Sequence, residues 1–112
     1  MKKIEAVIQS ERLNQVKAAL QDVGVSGMTV IDVHGRGEQK GLEFVNRAGK
    51  YRVDLLPKTL IDIVVHDEDT DRVVDAIVKG ARTGEIGDGK VFVTSVERCV
   101  RIRTGEEDDV AL

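Results

Sequence analysis

Apolar side chains occupy every second position at the start of the chain and then change to helical spacing. Ile4, Ala6 and Ile8 alternate with their neighbours in a way that predicts a β-strand. A helix is predicted next from apolar residues three or four positions apart, namely Leu13, Val16, Leu20 and Val23. Ser10 is expected to cap this helix and Gly24 to end it. Residues 28–34 are rich in β-branched side chains and predict a second strand.

The same order of elements returns in the second half of the chain. The pattern predicts a strand at residues 59–66, a helix capped near Asp67 and a strand at residues 90–96. The apolar face of this helix is expected to consist of Val74, Ile77, Val78 and Ala81. Two successive β-α-β units predict the ferredoxin-like βαββαβ arrangement, an α+β fold in which two helices cover one face of a four-stranded antiparallel sheet.

The second face of this predicted sheet also carries apolar residues, such as Val7, Val30 or Ile31, and Val64. A sheet that is apolar on both faces must be covered on both. Because the sequence predicts no further helices, we expect the chain to cover this face by self-association, as an obligate oligomer.

Residues 35–58 form the longest segment without a clear period of apolar residues. A connection of this length in a compact domain is usually functional or mobile, and a solvated hairpin tip is the simpler alternative. Gly35 and Gly37 resemble the start of a dinucleotide-binding fingerprint. We reject that fingerprint because the third glycine is displaced to Gly41 and no helical pattern follows.

A second glycine-rich segment, from Gly84 to Lys90, fits the pattern G-x-x-x-x-G-K of a phosphate-binding P-loop. Val91 stands where a P-loop needs a magnesium-binding Ser or Thr, and the segment leads from a helix into a strand instead of the reverse. A P-loop kinase or ATPase is therefore not expected, although the backbone amides of such a loop suit an anion. Asp88 is interpreted as a residue that shapes the loop, with a general base as the alternative.

Length and composition narrow the possible functions. A chain of 112 residues corresponds to one domain, and a formal net charge of −3 with one Tyr, two Phe and no Trp argues against a nucleic-acid partner. The first residues enter a strand pattern directly and no apolar run is long enough to span a bilayer, so a cytoplasmic protein is expected. Cys99 is the single cysteine and is interpreted as a small core residue.

Several motifs resemble those of the PII nitrogen-regulatory signal proteins, of the GlnB and GlnK type, from one end of the chain to the other. The matching stretches are residues 1–4, 27–30, 35–41, 53–58, 81–93 and 100–109. The loop Thr83-Gly84-Glu85-Ile86-Gly87-Asp88-Gly89-Lys90 and the stretch Arg101-Ile102-Arg103-Thr104-Gly105 are the most specific of them. The resemblance implies a single PII domain over residues 1–112, with a T-loop at 36–55, a B-loop at 82–90 and a C-terminal segment at 97–112.

The resemblance further implies a homotrimer that binds ATP or ADP between neighbouring subunits. The implied nucleotide-binding residues are Thr29, Gly35, Gly37, Glu38, Gln39, Lys58, Asp62, Val64, Gly87, Asp88, Gly89, Lys90, Arg101 and Arg103. Lys90, Arg101 and Arg103 are the expected phosphate contacts, and the surface near Val64 is expected to hold the adenine. We expect the two arginines to alternate on one face of an extended segment, so that both point into one cleft.

A second implied ligand is 2-oxoglutarate, which in the family chelates the Mg²⁺ ion held by ATP. Its implied contacts are Gln39, Lys40, Gly41, Lys58 and Gly87. The Gln39 oxygen is expected on the metal ion and Lys58 on the distal carboxylate. Because this assembly forms with ATP and not with ADP, Gln39 would connect the ligand state to the conformation of the T-loop.

The family uses the T-loop to dock on target proteins such as an ammonium transporter, glutamine synthetase or nitrogenase. The resemblance therefore implies a regulator with at most slow incidental ATP hydrolysis, which contacts the membrane only through a transporter. Arg47 matches the position that can enter the exit of an ammonium channel, and Tyr51 matches a tyrosine that some members carry as a nucleotidylation site.

Several positions depart from the family pattern. Arg36, Glu38 and Leu42 replace the usual Phe, Arg and His, and Glu38 puts an anion where phosphates are expected. Nucleotide affinity or the preference between ATP and ADP could differ for this reason. The residues before Tyr51 also differ, so a modifying enzyme would meet an altered context. The alternative function is a PII-like nucleotide sensor that has lost the response to 2-oxoglutarate and controls a different client.

Overall fold

The computed structural model describes residues 1–37 and 42–112. The strands in these ranges are β1 (Lys2–Ile8), β2 (Thr29–Gly35), β3 (Leu42–Asn46), β4 (Gly49–Val53), β5 (Leu56–Val65) and β6 (Gly89–Ser95). The helices are α1 (Leu13–Asp22), α2 (Thr70–Ala81) and three single-turn helices at Ser10–Arg12, Asp67–Asp69 and Asp108–Ala111. No helix in the described ranges is both long enough and apolar enough to cross a membrane.

The main sheet contains four strands in the order β2-β5-β1-β6, each antiparallel to its neighbours. The central strands β1 and β5 pair Ile4 with Ile63 and Ala6 with Ile61, so their apolar side chains lie on one face of the sheet. Helix α1 connects β1 to β2, and α2 connects β5 to β6. The predicted ferredoxin-like α+β class is therefore confirmed.

The connection between β2 and β5 differs from the expected irregular segment. Residues 42–53 form a separate antiparallel hairpin, in which Asn46 pairs with Gly49 across a two-residue turn. Strand β5 begins at Leu56, three residues earlier than predicted, so Lys58 belongs to the main sheet. The two hairpin strands satisfy their backbone hydrogen-bonding groups by pairing with each other. This pairing requires no periodic apolar residues, so the sequence pattern did not predict these strands.

The core lies between the sheet and the two helices. Its buried residues are Ile4, Ala6, Ile8, Val16, Leu20, Ile61, Ile63, Val65, Val73, Ala76, Ile77 and Ala81. The face predicted for α2 is partly wrong, because Val74 and Val78 are only half-buried while Val73, Ala76 and Gly80 are buried. Helix α2 packs against α1 as well as against the sheet, so its buried face extends toward α1.

The predicted end of α1 is confirmed, whereas the two predicted N-terminal caps are wrong. Gly24 ends α1 in the left-handed conformation, with φ at +84°. The hydroxyl of Ser10 accepts a hydrogen bond from Thr59 at 3.0 Å, and Asp67 accepts one from the α-amino group of Met1 at 2.8 Å. A single-turn helix separates each of these residues from the α-helix that follows, so their side chains bind tertiary partners instead of helix amides.

The two α-helices approach each other closely at Gly80. A Cβ atom at this position would lie 2.7 Å from the Cα atom of Val16 and 2.9 Å from the carbonyl oxygen of Gln15. Arg12 adds a polar contact at the same place, because its Nε and Nη2 atoms donate to the Gly80 carbonyl oxygen at 3.1 and 2.8 Å. This contact satisfies a carbonyl in the last turn of α2, where no helical amide is available.

The face of the sheet opposite the helices carries exposed apolar side chains. Ile31 and Val64 lie on this face and are 43% and 38% exposed, and Phe92 is 51% exposed. Val30 has the opposite orientation, since it pairs with the buried Ile61 on the side of the helices. An apolar second face is therefore present, with Ile31 and not Val30 as its β2 member.

The Gly80 contact predicts a marked loss of stability when a side chain is added there. We expect Gly80→Ala to lower the free energy of unfolding by about 1–3 kcal/mol, because the methyl group would force α1 and α2 apart. Urea denaturation followed by circular dichroism measures this change. Gly27→Ala is the matched control, since a Cβ atom at Gly27 meets nothing within 4 Å. Equal effects of the two substitutions would contradict the close helix contact.

Candidate functional site

The glycine-rich loop between α2 and β6 is held in shape by one carboxylate. Asp88 accepts hydrogen bonds from the amides of Thr83 and Gly84, at 2.8 and 2.9 Å, and from the Thr83 hydroxyl. These hydrogen bonds hold the pKa of Asp88 below its ordinary value of 3.8. The bond from the Thr83 hydroxyl makes the largest contribution. The predicted role of Asp88 in shaping the loop is therefore confirmed, since its carboxylate is charged and bound to the loop's own donors.

The loop meets the sheet at Gly89, where only glycine fits. Its φ is +104°, and a Cβ atom would overlap the carbonyl group of Val7 in the neighbouring strand β1. Gly87 also has a φ of +104°, and Gly84 has one of +90°. These three glycines allow a tight course of the backbone that residues with side chains rarely adopt.

A cleft of about 440 Å³ opens between this loop, the end of β2 and the open face of the sheet. It is lined by Val7, Gly35, Arg36, Gly37, Leu56, Lys58, Glu85, Ile86, Gly87, Asp88, Gly89, Lys90 and Phe92. Seven of the predicted nucleotide-binding residues lie here together, and they are Gly35, Gly37, Lys58, Gly87, Asp88, Gly89 and Lys90. Strands β2 and β5 bring the first of them together, because Val33 pairs with Lys58 and Gly35 with Leu56.

The charges around this cleft favour an anion. Lys58 donates from Nζ to the carbonyl oxygen of Gly87 at 3.1 Å, which fixes its ammonium group against the glycine loop. Arg36 and Lys90 are exposed at the rim. Two carboxylates, those of Glu85 and Asp88, also line the cleft, and that of Asp88 is bonded to Thr83 and Gly84 of its own loop. A phosphate or a carboxylate group fits this combination of cations and glycine amides.

Thr29, Asp62 and Val64 lie in a second and separate depression of about 310 Å³. Thr29 pairs with Asp62 across β2 and β5, four residues and roughly 13 Å along the strand from Lys58. Lys3 lies 3.5 Å from Asp62 Oδ2 and 3.0 Å from Glu5, and hydrogen bonding to Glu5, followed by the charge of Asp62, raises the pKa of Lys3 above 10.5. The other oxygen of Asp62, Oδ1, is buried without a hydrogen-bond partner among the described residues, so it is available to a donor group.

Arg101 and Arg103 do not lie on an extended segment, and that prediction is wrong. Residues 102–104 form a turn, in which the Gly105 amide donates to the Arg101 carbonyl at 2.8 Å and the Arg101 amide donates to Glu106 at 2.9 Å. The segment pairs instead with its own continuation, in a bridge between Val100 and Glu107. Arg101 is half-buried and bonded to Glu106, while Arg103 is exposed at the turn.

Three of the four acidic residues at 106–109 form ion pairs. Glu106 binds Arg101, Glu107 binds Arg98, and Asp109 lies 3.5 Å from His66. Cys99 is half-buried in this segment and does not belong to the core cluster; its amide and carbonyl both bond to Asp108. The interpretation of Cys99 as a core residue is therefore wrong, because residues 97–112 fold largely on themselves.

Four predicted site residues, Glu38, Gln39, Lys40 and Gly41, lie outside the described residues. The same holds for the side chain of Tyr51, although its backbone pairs with Phe44 in the hairpin. Arg47 occupies the two-residue turn of this hairpin and is exposed. The hairpin therefore presents Arg47 at its apex, with a basic residue, Lys50, close behind.

Four apolar residues that line the cleft were not predicted as site residues, and they are Val7, Leu56, Ile86 and Phe92. Leu56 is buried, whereas Ile86 and Phe92 are 65% and 51% exposed. One signal in the sequence could have indicated Val7 and Phe92. Val7 alternates with the core residues Ala6 and Ile8, and Phe92 follows Val91, which packs against the core, so both belong to the opposite face. Val7 and Phe92 therefore give the cationic cleft an apolar floor.

Comparison with known proteins identifies the family of this chain. Residues 1–106 match the family described as Nitrogen regulatory protein P-II. Nitrogen regulatory protein P-II 2 of Methanothermobacter thermautotrophicus is 55% identical over 112 residues, which cover all of this chain and 97% of that protein. Nitrogen regulatory protein P-II 1 of Escherichia coli K12 is 54% identical over the full length of both chains.

A solved structure, that of Arabidopsis thaliana PII bound to citrate, has the same fold, with a TM-score of 0.81. It is 40% identical to this chain, and the alignment covers 99% of this chain and 91% of the other. The Methanothermobacter and Escherichia relatives are named as nitrogen regulatory proteins. The chain therefore belongs to the nitrogen regulatory protein P-II family and is a regulator, not an enzyme.

Proposed function

We propose that this protein is a PII-type signal transducer that binds ATP or ADP together with 2-oxoglutarate in clefts between the subunits of a homotrimer. The main support is the cationic cleft beside the glycine loop, where Lys58, Lys90 and Arg36 surround a glycine-rich rim. Nucleotides are polyanions, and glycine amides with fixed cations are a common phosphate site. Both the protein and its ligands are expected in the cytoplasm.

The separation of the two halves of the site supports binding between subunits. Thr29, Asp62 and Val64 lie in a depression apart from the loop at residues 87–90. One nucleotide would contact the phosphate-binding loop of one copy and the Val64 side of another. The exposed apolar face with Ile31 offers the surface on which copies would pack.

Within this cleft, Lys90 and the amides of residues 87–89 would hold the phosphates. Arg101 and Arg103 would provide further contacts to the phosphates. The buried oxygen of Asp62 would accept a hydrogen bond from a donor on the base or the ribose. Bound Mg²⁺ would supply a hard cation that joins the phosphates to the 2-oxo acid. Gln39 is proposed as its protein ligand, and Lys58, held by Gly87, as the partner of the distal carboxylate.

The hairpin at residues 42–53 is the proposed docking arm, with Arg47 at its apex. Its clients would be nitrogen-metabolism proteins, and we name an ammonium transporter, glutamine synthetase or nitrogenase as candidates. Gln39, Lys40 and Gly41 directly precede β3, so a ligand that binds them would act on the base of this arm. Ligand binding beside the fixed loop would thereby change the conformation of the hairpin.

Removal of the cation at the loop should weaken nucleotide binding. We expect Lys90→Met to raise the Kd for Mg-ATP about tenfold to a hundredfold, since a hydrogen bond to a charged group contributes about 1.5–3 kcal/mol. Isothermal titration calorimetry measures this effect. Lys79→Met, an exposed lysine on α2 and outside the cleft, should leave the Kd unchanged. An unaltered Kd in Lys90→Met would contradict the assignment of the cleft.

Binding of 2-oxoglutarate should depend on Mg-ATP and on Gln39. Titration of the protein with 2-oxoglutarate should release heat in the presence of Mg-ATP and none with ADP, and Gln39→Ala should raise its Kd at least about tenfold because a metal ligand is lost. Gln21→Ala, on the exposed side of α1, is the matched control. Absence of any heat in the native protein with Mg-ATP would favour the alternative function, a nucleotide sensor without a 2-oxoglutarate response.

Docking should require Arg47 while ligand binding does not. We expect Arg47→Ala to weaken association with an ammonium transporter at least about tenfold, because a charged group at an interface centre is lost, and to leave the Kd for Mg-ATP unchanged. Surface plasmon resonance with the transporter in nanodiscs measures the first quantity and calorimetry the second. Lys17→Ala, on α1, should alter neither. Full binding by Arg47→Ala would exclude this docking mode, and a loss of ATP binding would show that Arg47 belongs to the ligand site.

A further inference from the structure

Two nitrogens of the Arg101 guanidinium, Nη1 and Nη2, are bonded to the C-terminal segment. Its Nη1 donates to Glu106 Oε1 at 3.0 Å, and its Nη2 donates to the carbonyl oxygens of Val110 and Ala111 at 3.2 and 3.3 Å. A guanidinium binds an oxyanion bidentately through Nε with Nη2 or through Nη1 with Nη2. Both edges require Nη2, which is bonded to the carbonyl oxygens of Val110 and Ala111 in this structure.

We propose that the single-turn helix Asp108–Ala111 is an autoinhibitory latch, which occupies Arg101 and must release it before this arginine can bind nucleotide phosphate. The inference rests on the proposed function, in which Arg101 is a phosphate contact. The new element is that the C-terminal helix of the same chain competes with the phosphate for Arg101. Nucleotide binding and latch closure are then alternatives, and each weakens the other by the same factor.

The contacts that hold the latch suit a reversible device. The two hydrogen bonds from Nη2 are long, and Asp108 and Val110 are exposed. The latch is anchored to the chain before it by Asp108, whose amide donates to Cys99 at 2.8 Å and whose carboxylate accepts from the Cys99 amide at 3.2 Å. Exposed hydrogen bonds with little apolar burial mark a segment that opens locally at low cost.

The backbone at Asp108 provides a specific way to open the latch in the full-length chain. Asp108 has a φ of +56°, whereas proline is restricted to about −65° and has no amide hydrogen. Asp108→Pro therefore removes the hydrogen bond to Cys99 and forbids the turn. Asp108→Asn is the matched control, because Asn tolerates this conformation and keeps the side-chain acceptor. Asp108 itself is not among the proposed ligand contacts.

The test is the Kd for Mg-ATP, measured by calorimetry, in the native protein and in these variants. Asp108→Pro should bind Mg-ATP about threefold to tenfold more tightly, the range expected from the loss of one or two weak competing hydrogen bonds, and Asp108→Asn should match the native protein. Glu106→Gln, which removes the competing charge without altering the backbone, should also bind more tightly. In an Arg101→Met background the gain from Asp108→Pro should vanish.

Amide hydrogen exchange gives a second readout that does not depend on affinity. In the native protein the Asp108 amide should be protected without ligand and should lose protection when Mg-ATP is bound. Unchanged or weaker binding in both Asp108→Pro and Glu106→Gln, or an Asp108 amide that stays protected at saturating Mg-ATP, would overturn the latch and leave the proposed function standing. No binding of Mg-ATP to any of these chains would overturn both.

Discussion

The approach of Gly89 to the carbonyl group of Val7 joins the glycine-rich loop to the centre of the fold. Strand β1 is a central strand, and its other side chains, Ile4, Ala6 and Ile8, are buried in the core. A loop that ends against β1 inherits the rigidity of that core, so the position of Lys90, one residue later, is fixed relative to the sheet. Any side chain at Gly89 would push β6 away from β1 and carry the loop with it.

The interior of the loop is fixed in a different way, by charge. Asp88 binds the amides of Thr83 and Gly84, and its negative charge is therefore directed into the loop and not toward the cleft. This arrangement keeps an acidic residue compatible with an anion site. It also explains why a loop with the spacing of a P-loop needs no helix behind it, since a carboxylate and three left-handed glycines give it its shape.

The site is divided among parts of the chain that a single copy does not bring together. The cleft at the glycine loop and the depression at Asp62 lie at different points along β5, and Arg101 is retained by its own C-terminal segment. A fold of two β-α-β units leaves one sheet face without helices, and that face borders both halves of the proposed site. The same exposed surface would thus serve assembly and ligand binding, which couples the two processes physically.

The sequence by itself determined the elements that depend on local patterns. Period-two and helical spacing predicted four strands and two helices in the right order, Gly24 as the end of α1, and Asp88 as the residue that shapes the glycine loop. The motifs of the loop and of residues 101–105 were sufficient to indicate the family. These signals are local because side-chain alternation and glycine conformation act within a few residues.

Only the tertiary structure decided the partners of side chains that had more than one choice. Ser10 and Asp67 look like helix caps in the sequence, but the structure bonds Ser10 to Thr59 and Asp67 to the amino group of Met1. The hairpin at residues 42–53 and the turn at residues 102–104 are held by backbone pairing, which leaves no period in the side chains. Arg101 was expected to alternate with Arg103 on an extended segment. The segment folds back on itself instead, and Arg101 is bonded to Glu106 and to two backbone carbonyl groups. Contacts between residues distant in the chain depend on the course of the backbone in the folded protein. Local sequence patterns do not determine that course.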